Sequence, residues 1–305
     1  MRQHLQAVCP VCDSPNHKKA YDNELGDELP TVDYNFSPQT RKTYQIVECV
    51  NCSHQFVHPL PNLAALYQEN VDDAYLNSAP QRRRSAQEWL QIVTTYAPEA
   101  SSLIDIGCAT GMFLDEAVYR YQVEGIELST WAADLASSRH RIHRMPVSEM
   151  KTERRFDVAT MWGVIEHLDN PQKEITAVHQ LLTDSGLLFI YTGDRHALLP
   201  RLLGKRWWWY QGMHIQYFTK SSLTMLLQSC GFAVIGQHQL PMFFSISSLA
   251  QSLNRYRVMR PLVWLMQSLP WKGLVKLTLS GEMLLVAKKE NLDAETHRSA
   301  QHNPF

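Results

Sequence analysis

The sequence contains few charged residues and almost no excess of either sign. Charged residues make up 19% of the 305 residues, and the formal net charge is -1. Because this balance creates no general field that would gather nucleic acid, we do not expect a nucleic-acid partner. There is also no run of about 18 apolar residues, so no transmembrane helix is predicted. No apolar segment of signal-peptide length precedes Cys9, and we expect a cytoplasmic protein.

Cysteine is scarce as well, and four of the six cysteines form two Cys-x-x-Cys pairs. In a reducing compartment this pattern favours metal binding over disulfides. Residues 13–48 separate the pairs, a longer interval than the roughly 15–20 residues of common zinc modules. We predict a structural Zn²⁺ ion in a small zinc-ribbon-like module, residues 1–60, with a redox dithiol as the alternative. The predicted zinc ligands are Cys9, Cys12, Cys49 and Cys52.

The chain after this module alternates between two kinds of pattern. A helical linker is predicted for residues 61–97, a main domain for residues 98–289 and a disordered tail for residues 290–305. Within the main domain, short apolar runs predict strands at residues 103–106, 123–126, 158–161, 187–191, 233–235 and 283–287. Amphipathic segments predict helices at residues 111–121, 130–139, 171–182 and 220–229. This alternation predicts a parallel α/β sheet.

Residues 241–270 are predicted to be a helical insert before the last strand. Two stripes of apolar residues repeat there at helical spacing: Ile246, Leu249 and Leu253, then Val258, Leu262, Leu265 and Leu269. A lid that packs over an acceptor pocket would produce this pattern. Peripheral contact with a membrane surface would also produce it, and both interpretations stay open.

The sequence Asp-Ile-Gly-Cys-Ala-Thr-Gly, residues 105–111, predicts a glycine-rich turn between a strand and a helix. Such a turn lets the backbone approach a ligand and presents the free N–H groups of a helix N-terminus. Glu127 follows Asp105 by 22 residues, close to the spacing that places an acid on the ribose of a nucleotide. Met112 occupies a position where a dinucleotide turn needs a small residue. The turn therefore favours a nucleotide ligand that has no pyrophosphate.

A third motif, Glu-His-Leu-Asp-Asn-Pro, covers residues 166–171 after a predicted strand. Together the three motifs resemble those of class I S-adenosylmethionine-dependent methyltransferases, in particular the bacterial type 23/11 group. The resemblance covers residues 100–240. It implies a Rossmann-like, seven-stranded, mainly parallel sheet with helices on both faces, and S-adenosylmethionine as the cofactor.

The resemblance also implies which residues contact the cofactor. The turn would bound the methionine end, Glu127 would bind the ribose, Leu128 would pack near the adenine, and Val147 would lie on the far side of the adenine. Tyr75 is a candidate for closing over the ligand. The complete predicted cofactor set is Asp105, Gly107, Cys108, Ala109, Gly111, Glu127, Leu128, Val147 and Trp162.

Three residues are candidates for catalysis: His214, His167 and Glu166. Histidine titrates near neutral pH, which suits a general base. The alternatives are that His214 caps the following helix and that His167 packs at a helix start. The nearby segment Trp-Trp-Trp-Tyr, residues 207–210, either stacks on a substrate or forms the core of a lid.

We therefore predict a methyltransferase that acts on a small-molecule, glycan or lipid-linked acceptor. The turn after the strand at residues 158–161 lacks the Asn/Asp-Pro-Pro-aromatic motif typical of enzymes that methylate base nitrogens, so an oxygen or carbon acceptor is favoured. Two alternatives stay open. A zinc-containing RNA methyltransferase is one, supported by arginines at residues 82–84 and 201–206. A cofactor-binding protein without catalysis is the other. The oligomeric state is not predicted.

Overall fold

A computed structural model of the chain describes residues 8–31, 38–69, 71–254, 256–268 and 273–290. The predicted disordered tail lies outside the described residues, apart from Glu290. Leu269, the last member of the second apolar stripe, also lies outside them.

The described residues form thirteen strands. In chain order these are β1 (His17–Tyr21), β2 (Ile46–Cys49), β3 (Gln55–Val57), β4 (Ser102–Ile106), β5 (Gln122–Ile126), β6 (Arg141–His143), β7 (Phe156–Trp162), β8 (Leu182–Gly193), β9 (Gln216–Tyr217), β10 (Phe232–His238), β11 (Pro241–Ser245), β12 (Leu274–Thr278) and β13 (Glu282–Lys289).

The same residues form ten α-helices. They are α1 (Ala64–Glu69), α2 (Asp73–Asn77), α3 (Ala79–Tyr96), α4 (Met112–Ala117), α5 (Thr130–Ser137), α6 (Pro171–Leu181), α7 (Leu198–Leu203), α8 (Lys220–Ser229), α9 (Ile246–Leu253) and α10 (Arg260–Ser268). Short 3-10 helices occur at Pro38–Arg41, Val147–Glu149, Ile165–His167, Gly204–Arg206 and Arg257–Met259.

The central sheet has seven strands in the spatial order β10-β13-β8-β7-β4-β5-β6. Strand β13 runs antiparallel to both of its neighbours, and the other pairs are parallel. The predicted Rossmann-like, mainly parallel sheet is therefore confirmed. Its register aligns Asp105 of β4 with Gly125 of β5 and Thr160 of β7. The carboxyl ends of these three strands consequently meet at one edge, where open α/β sheets bind ligands.

Helices cover both faces of this sheet. On β4, Ile104 joins one hydrophobic cluster with Ile175 of α6 and Leu223 of α8. Its neighbour Leu103 joins a second cluster with Val93 of α3. Successive side chains of a strand point to opposite faces, so the two clusters are the cores above and below the sheet. Helix α3, which was predicted to be part of a linker, thus packs as a layer of the main domain.

The N-terminal module has a small antiparallel sheet in the order β1-β2-β3-β9. Strand β9 comes from the main domain, where Gln216 pairs with Phe56 and Tyr217 with Gln55. The sheet of the predicted zinc module therefore extends beyond residue 60 and joins the two parts of the chain.

The insert at residues 241–270 is only partly helical. Residues 241–245 form β11, which pairs with β12, so the prediction of helix there was wrong. Helices α9 and α10 follow and share a small cluster of Ala250, Val263 and Met266. The first apolar stripe packs against this cluster, whereas Val258 is 86% exposed and Leu265 is 50% exposed. Within the described ranges, no helix has both the length and the apolar character needed to span a bilayer.

Candidate functional site

The segment between β4 and α4 is a tight turn at the carboxyl edge of the sheet. Its backbone has positive φ angles at Gly107 (69°), Ala109 (47°) and Gly111 (83°). Glycine adopts such angles at little cost, whereas alanine is strained there. A Cβ atom on residue 107 would overlap the side chain of Val164. The turn therefore requires glycine at residue 107, and the segment after β7 packs directly against it.

Glu127 connects this turn to the end of β5. Its carboxylate accepts hydrogen bonds from the backbone N–H groups of Ala109 (2.8 Å) and Ser129 (2.7 Å). Burial raises the pKa of Glu127, and these backbone hydrogen bonds oppose that rise. Glu127 thus lies beside the glycine turn, where the spacing in the sequence predicted an acid.

Asp105 lies beneath the turn and is only 1% exposed. Thr160 Oγ1 donates a hydrogen bond of 2.6 Å to Asp105 Oδ1. Burial raises the pKa of Asp105 to about 8, although the hydrogen bond from Thr160 lowers it. The Asp105 carboxyl is therefore mostly protonated at neutral pH, which keeps an uncompensated charge out of the core.

Cys108 packs its sulfur against the end of β5. A Cβ atom on Gly125 would lie 2.6 Å from Cys108 Sγ, so residue 125 must also be glycine. Burial raises the pKa of the Cys108 thiol well above its usual value, which is the opposite of what a nucleophile needs. Cys108 is a packing residue of the turn, and Gly125 is a residue of the site that sequence reasoning did not single out.

Two residues predicted near the adenine differ in exposure. Leu128 is 42% exposed and offers apolar surface next to Glu127. Val147 is 4% exposed and lies in a 3-10 helix that Glu174 holds through Ser148. Tyr75 of α2 is influenced electrostatically by Glu127 and Asp105, and the Arg82 guanidinium lies 3.9 Å from the centre of its ring. Tyr75 consequently lies on the same side of the sheet edge as the turn.

Glu166 follows β7 in a 3-10 helix and is 1% exposed. Its Oε2 atom accepts a hydrogen bond of 2.9 Å from Thr192 of β8. Burial raises the pKa of Glu166 to about 8. Trp162, the last residue of β7, has a buried Nε1 atom without a hydrogen-bond partner. This indole N–H is a donor that a ligand could use, because buried polar groups are normally paired.

His167 is the neighbour of Glu166 and contacts two other elements. Its Nδ1 atom lies 2.9 Å from the carbonyl oxygen of Met213 and 2.9 Å from Tyr67 Oη. Because a carbonyl can only accept, Nδ1 carries the proton and Nε2 carries a lone pair. Burial lowers the pKa of His167 to about 4, so the imidazole is neutral at neutral pH.

His214 lies next to His167, with ring centres 4.7 Å apart. Its Nδ1 atom is 2.8 Å from the carbonyl oxygen of Trp209, and Gln211 Nε2 lies 2.9 Å from His214 Nε2. The carbonyl again assigns the proton to Nδ1, so Gln211 donates to the lone pair on Nε2. Burial lowers the pKa of His214 well below its usual value. The structure thus brings all three predicted catalytic residues together in one cluster, in which Glu166 and His214 are buried and His167 is partly buried.

His214 does not have the helix-capping role that we considered, and His167 does not cap the helix that follows it. Helix α8 is capped by Thr219, whose side chain accepts from the Ser222 N–H group. Helix α6 is capped by Asn170, three residues after His167.

The segment at residues 207–210 is mostly core. Trp207, Trp209 and Tyr210 are at most 5% exposed. Trp208 is partly buried and donates a hydrogen bond of 3.1 Å to Glu282 Oε1. These side chains therefore do not form an exposed surface on which a substrate could stack.

A second buried acid lies near this cluster and was missed by sequence reasoning. Tyr191 Oη donates a hydrogen bond of 2.6 Å to Glu282 Oε2, and burial raises the pKa of Glu282 to about 7. Glu282 opens the last strand, β13, one residue before the apolar run that predicted it. The signal in the sequence was an acidic residue directly before the apolar run at residues 283–287.

The four paired cysteines converge. Their sulfur atoms all lie within 4.8 Å of one another, with Cys9 to Cys52 at 3.6 Å and Cys12 to Cys49 at 3.5 Å. Tetrahedral Zn²⁺ with bonds of about 2.3 Å requires sulfur separations of about 3.8 Å. None of the four is in a disulfide. The thiols therefore fit a closed tetrathiolate site.

The two cysteine loops also repeat the same backbone geometry. In the first, the Asp13 N–H group donates to the Cys9 carbonyl, and in the second the Ser53 N–H group donates to the Cys49 carbonyl, both at 3.0 Å. Asp13 and Ser53 have positive φ angles of 55° and 59°. Matched turns of this kind aim the thiols of both loops at one point, which strengthens the fit to a metal.

This module contacts the segment that carries His214. Tyr210 Oη donates to Gln55 Oε1 at 2.6 Å, and His54 Nε2 lies 2.8 Å from Gln216 Oε1. Burial lowers the pKa of His54 to about 4. The cysteine module therefore supports the segment from Tyr210 to Gln216, on which His214 is located.

The arginines at residues 82–84, which favoured an RNA partner, have contacts within the chain. Arg82 lies over Tyr75, Arg83 pairs with Asp115 and Arg84 pairs with Glu88. Lys205 pairs with Glu24. Much of this positive charge is thus compensated by the protein itself.

Comparison with protein-family models matches residues 78–237, slightly more than half of the chain, to the methyltransferase domain family. The chain belongs to this methyltransferase family. The prediction of a methyltransferase of the class I, S-adenosylmethionine-dependent kind is confirmed at that level. The match begins at residue 78, which agrees with the packing of α3 on the sheet.

Relatives with curated functions are distant from this methyltransferase. A ubiquinone biosynthesis O-methyltransferase from Coxiella burnetii is 26% identical over 160 residues, covering 46% of this chain and 68% of the relative. A dTDP-3-amino-3,6-dideoxy-alpha-D-glucopyranose N,N-dimethyltransferase from Streptomyces fradiae is 36% identical over 92 residues, covering 28% and 35% respectively.

A solved structure of a SAM dependent methyltransferase from Archaeoglobus fulgidus is similar in fold. It has a TM-score of 0.50 and 15% identity, and the match covers 72% of this methyltransferase and 100% of that chain. This likeness agrees with the seven-stranded sheet described above.

Proposed function

We propose that this methyltransferase transfers the methyl group of S-adenosylmethionine to an oxygen or carbon atom of a small-molecule, glycan or lipid-linked acceptor. One observation carries the proposal. The glycine turn held by Glu127 packs, through Gly107 and Val164, directly against the segment that bears Glu166 and His167. A cofactor on the turn would thus have an acid and a histidine beside it.

The residues of the turn fit the cofactor. The Glu127 carboxylate is already fixed by two backbone N–H groups and retains lone pairs for the ribose hydroxyls. Leu128 offers exposed apolar surface for the adenine. Thr110 Oγ1 and Trp162 Nε1 are buried polar atoms without partners, and a polar ligand would satisfy them. When bound, S-adenosylmethionine supplies a methyl group activated by a sulfonium sulfur.

The residues on the acceptor side perform positioning and proton transfer. An acceptor hydroxyl must lose a proton as its oxygen forms the bond to the methyl carbon. The lone pair on His167 Nε2 can accept that proton, since His167 Nδ1 is held by the Met213 carbonyl. Tyr67 contacts the same Nδ1 atom and so orients the ring. Holding the reacting atoms in line supplies much of the rate.

The cysteine module contacts the segment that carries His214. We propose that Cys9, Cys12, Cys49 and Cys52 bind one structural Zn²⁺ ion, because their separations and matched loops fit it. The proposed division is a zinc module at residues 1–60, a helical linker at 61–97 whose helix α3 packs on the main domain, and the methyltransferase domain at 98–289. Strand β9 completes the sheet of the module.

The acceptor class rests on two further points. One relative is named as an O-methyltransferase of ubiquinone biosynthesis and the other as an N,N-dimethyltransferase of a dTDP-linked amino sugar, and both names indicate small-molecule acceptors. The arginines at residues 82–84 have partners within the chain, which weakens the case for RNA. We therefore favour a small-molecule or lipid-linked acceptor, with O transfer preferred.

Labelled S-adenosylmethionine incubated with fractionated metabolites, lipid extracts and RNA tests this function. We expect the label in a metabolite or lipid fraction. The His167→Ala variant should transfer methyl groups at least about 100-fold more slowly, the usual contribution of a general base, and should bind S-adenosylhomocysteine normally. Label in RNA alone would contradict the proposed acceptor. Equal rates for the variant and the wild type would contradict the role of His167.

A further inference from the structure

We propose that Glu166, His167 and His214 bind one divalent first-row transition-metal ion on the acceptor side of the site. The three side chains lie on separate segments of the chain. Glu166 and His167 follow β7, and His214 precedes β9. Each offers one ligand atom, and these atoms lie within 4.8 Å of one another. Two imidazoles and one carboxylate are a common donor set for such ions.

Both histidines are already oriented as metal ligands usually are. A ligating histidine commonly donates its other ring N–H group to a carbonyl or carboxylate, which fixes the tautomer and the ring. His167 donates to the carbonyl oxygen of Met213 at 2.9 Å, and His214 donates to that of Trp209 at 2.8 Å. The two backbone carbonyls therefore hold the proton on Nδ1 of each ring, so that Nε2 is the atom that could bind an ion, and in the present arrangement His214 Nε2 accepts a hydrogen bond from Gln211.

Glu166 is supported in the same way. Thr192 Oγ1 donates to Glu166 Oε2 at 2.9 Å, which orients the carboxyl group. Glu166 is 1% exposed and His214 is 3% exposed. Water is thus largely excluded from two of the three ligands.

An independent observation at Gln211 also indicates a ligand. Gln211 is 1% exposed, and its Oε1 atom has no hydrogen-bond partner. Its Nε2 atom contacts His214 Nε2 at 2.9 Å, so the amide borders the cluster. Rotation of the amide by about 180° would direct Oε1 at the ion and free the His214 lone pair. Gln211 would then be a fourth ligand or would bind a metal-bound water.

The cluster must contract slightly to bind an ion. Ligand atoms at about 2.1 Å from a metal lie roughly 3.0–3.5 Å apart. Their present separations reach at most 4.8 Å. Binding would therefore require rotation about the side-chain bonds of both histidines as well as of the glutamate.

A metal ion in this cluster would also limit which acceptors can react, and this inference rests on the proposed function. A bound cation would hold an acceptor oxygen and favour its deprotonated form. This favours acceptors with a hydroxyl or a pair of adjacent oxygens, such as a catechol or a diol, over acceptors that offer only an amine. In the metal-bound form His167 Nε2 would hold the ion instead of accepting the acceptor proton, which is its role in the metal-free site proposed above, and the proton would pass to water.

Mn²⁺ titration followed by electron paramagnetic resonance tests the site itself. The full chain, loaded with one equivalent of Zn²⁺, is titrated with Mn²⁺, which prefers oxygen and nitrogen ligands to thiolates. We expect about one bound Mn²⁺ per chain. Glu166→Gln and His214→Gln should each weaken binding at least about 10-fold. Asp184→Asn, which makes the same kind of change on an exposed acid near the start of β8, should bind as the wild type does.

Two results would overturn the proposal. One is the absence of saturable Mn²⁺ binding in the wild type. The other is unchanged affinity in Glu166→Gln and His214→Gln, provided that thermal melting shows both variants to be folded. No acceptor is present in this titration. A protein that binds Mn²⁺ but transfers no methyl group would therefore contradict the proposed function and leave the metal site standing.

Discussion

Replacing Glu127 by alanine should weaken binding of S-adenosylhomocysteine by at least about 100-fold, which corresponds to about 2.7 kcal/mol. The Glu127 carboxylate has two proposed roles. It fixes the turn through the N–H groups of Ala109 and Ser129, and it offers lone pairs to the ribose. Hydrogen bonds to a charged group contribute about 1.5–3 kcal/mol each. Isothermal titration calorimetry measures the change.

Two companion variants make this result specific. Glu127→Gln keeps one carbonyl oxygen as an acceptor and should bind with intermediate affinity. Glu153→Ala removes an exposed acid before β7, at the opposite edge of the sheet, and should bind as the wild type does. If Glu127→Ala is folded and binds within threefold of the wild type, the placement of the ribose is wrong.

Replacing both Cys49 and Cys52 by serine should remove the zinc ion and lower the melting temperature by about 10 °C. Structural zinc contributes on the order of 10 kcal/mol in small modules, and loss of about 4 kcal/mol would suffice for this shift. Because β3 pairs with β9 next to His214, methyl transfer should fall as well. Mass spectrometry of bound metal and a thermal melt measure both effects.

Cys230→Ser is the matched control for the zinc prediction. Cys230 is buried, lies outside the cysteine cluster and contacts the Gln172 carbonyl oxygen. This variant should keep about one zinc ion per chain and a melting temperature near that of the wild type. Zinc content that is equally low in the wild type and in the double variant would mean that the four thiols hold no structural zinc.

The central sheet could be predicted because its strands are short apolar runs separated by amphipathic segments. β4, β5 and β7 each carry such a run, and local pattern is sufficient to locate them. Strand β9 could not be predicted, since Gln216 and Tyr217 form a strand only by pairing with β3. Strand β11 was assigned to the helical insert because the apolar residues that follow it, from Ile246 onward, repeat at helical spacing.

In the candidate site, too, some features follow from the local sequence and others depend on tertiary contacts. Glu127 could be predicted from its spacing to Asp105, because adjacent parallel strands end at one edge. The contact between His167 and His214 depends on how the segment at residues 207–217 folds back over β7, and spacing along the chain carries no information about that. The role of the tryptophans at residues 207–209 could not be predicted either, since stacking surfaces and buried cores use the same side chains.

A crystal structure of the protein with S-adenosylhomocysteine would show where the cofactor binds. We expect the ribose hydroxyls to lie within hydrogen-bond distance of the Glu127 carboxylate. We also expect the amino-acid end to lie along the turn from Asp105 to Gly111, with the sulfur facing the segment of Trp162 and Glu166. A ligand bound elsewhere, with Glu127 contacting only Ala109 and Ser129, would contradict this placement of the cofactor.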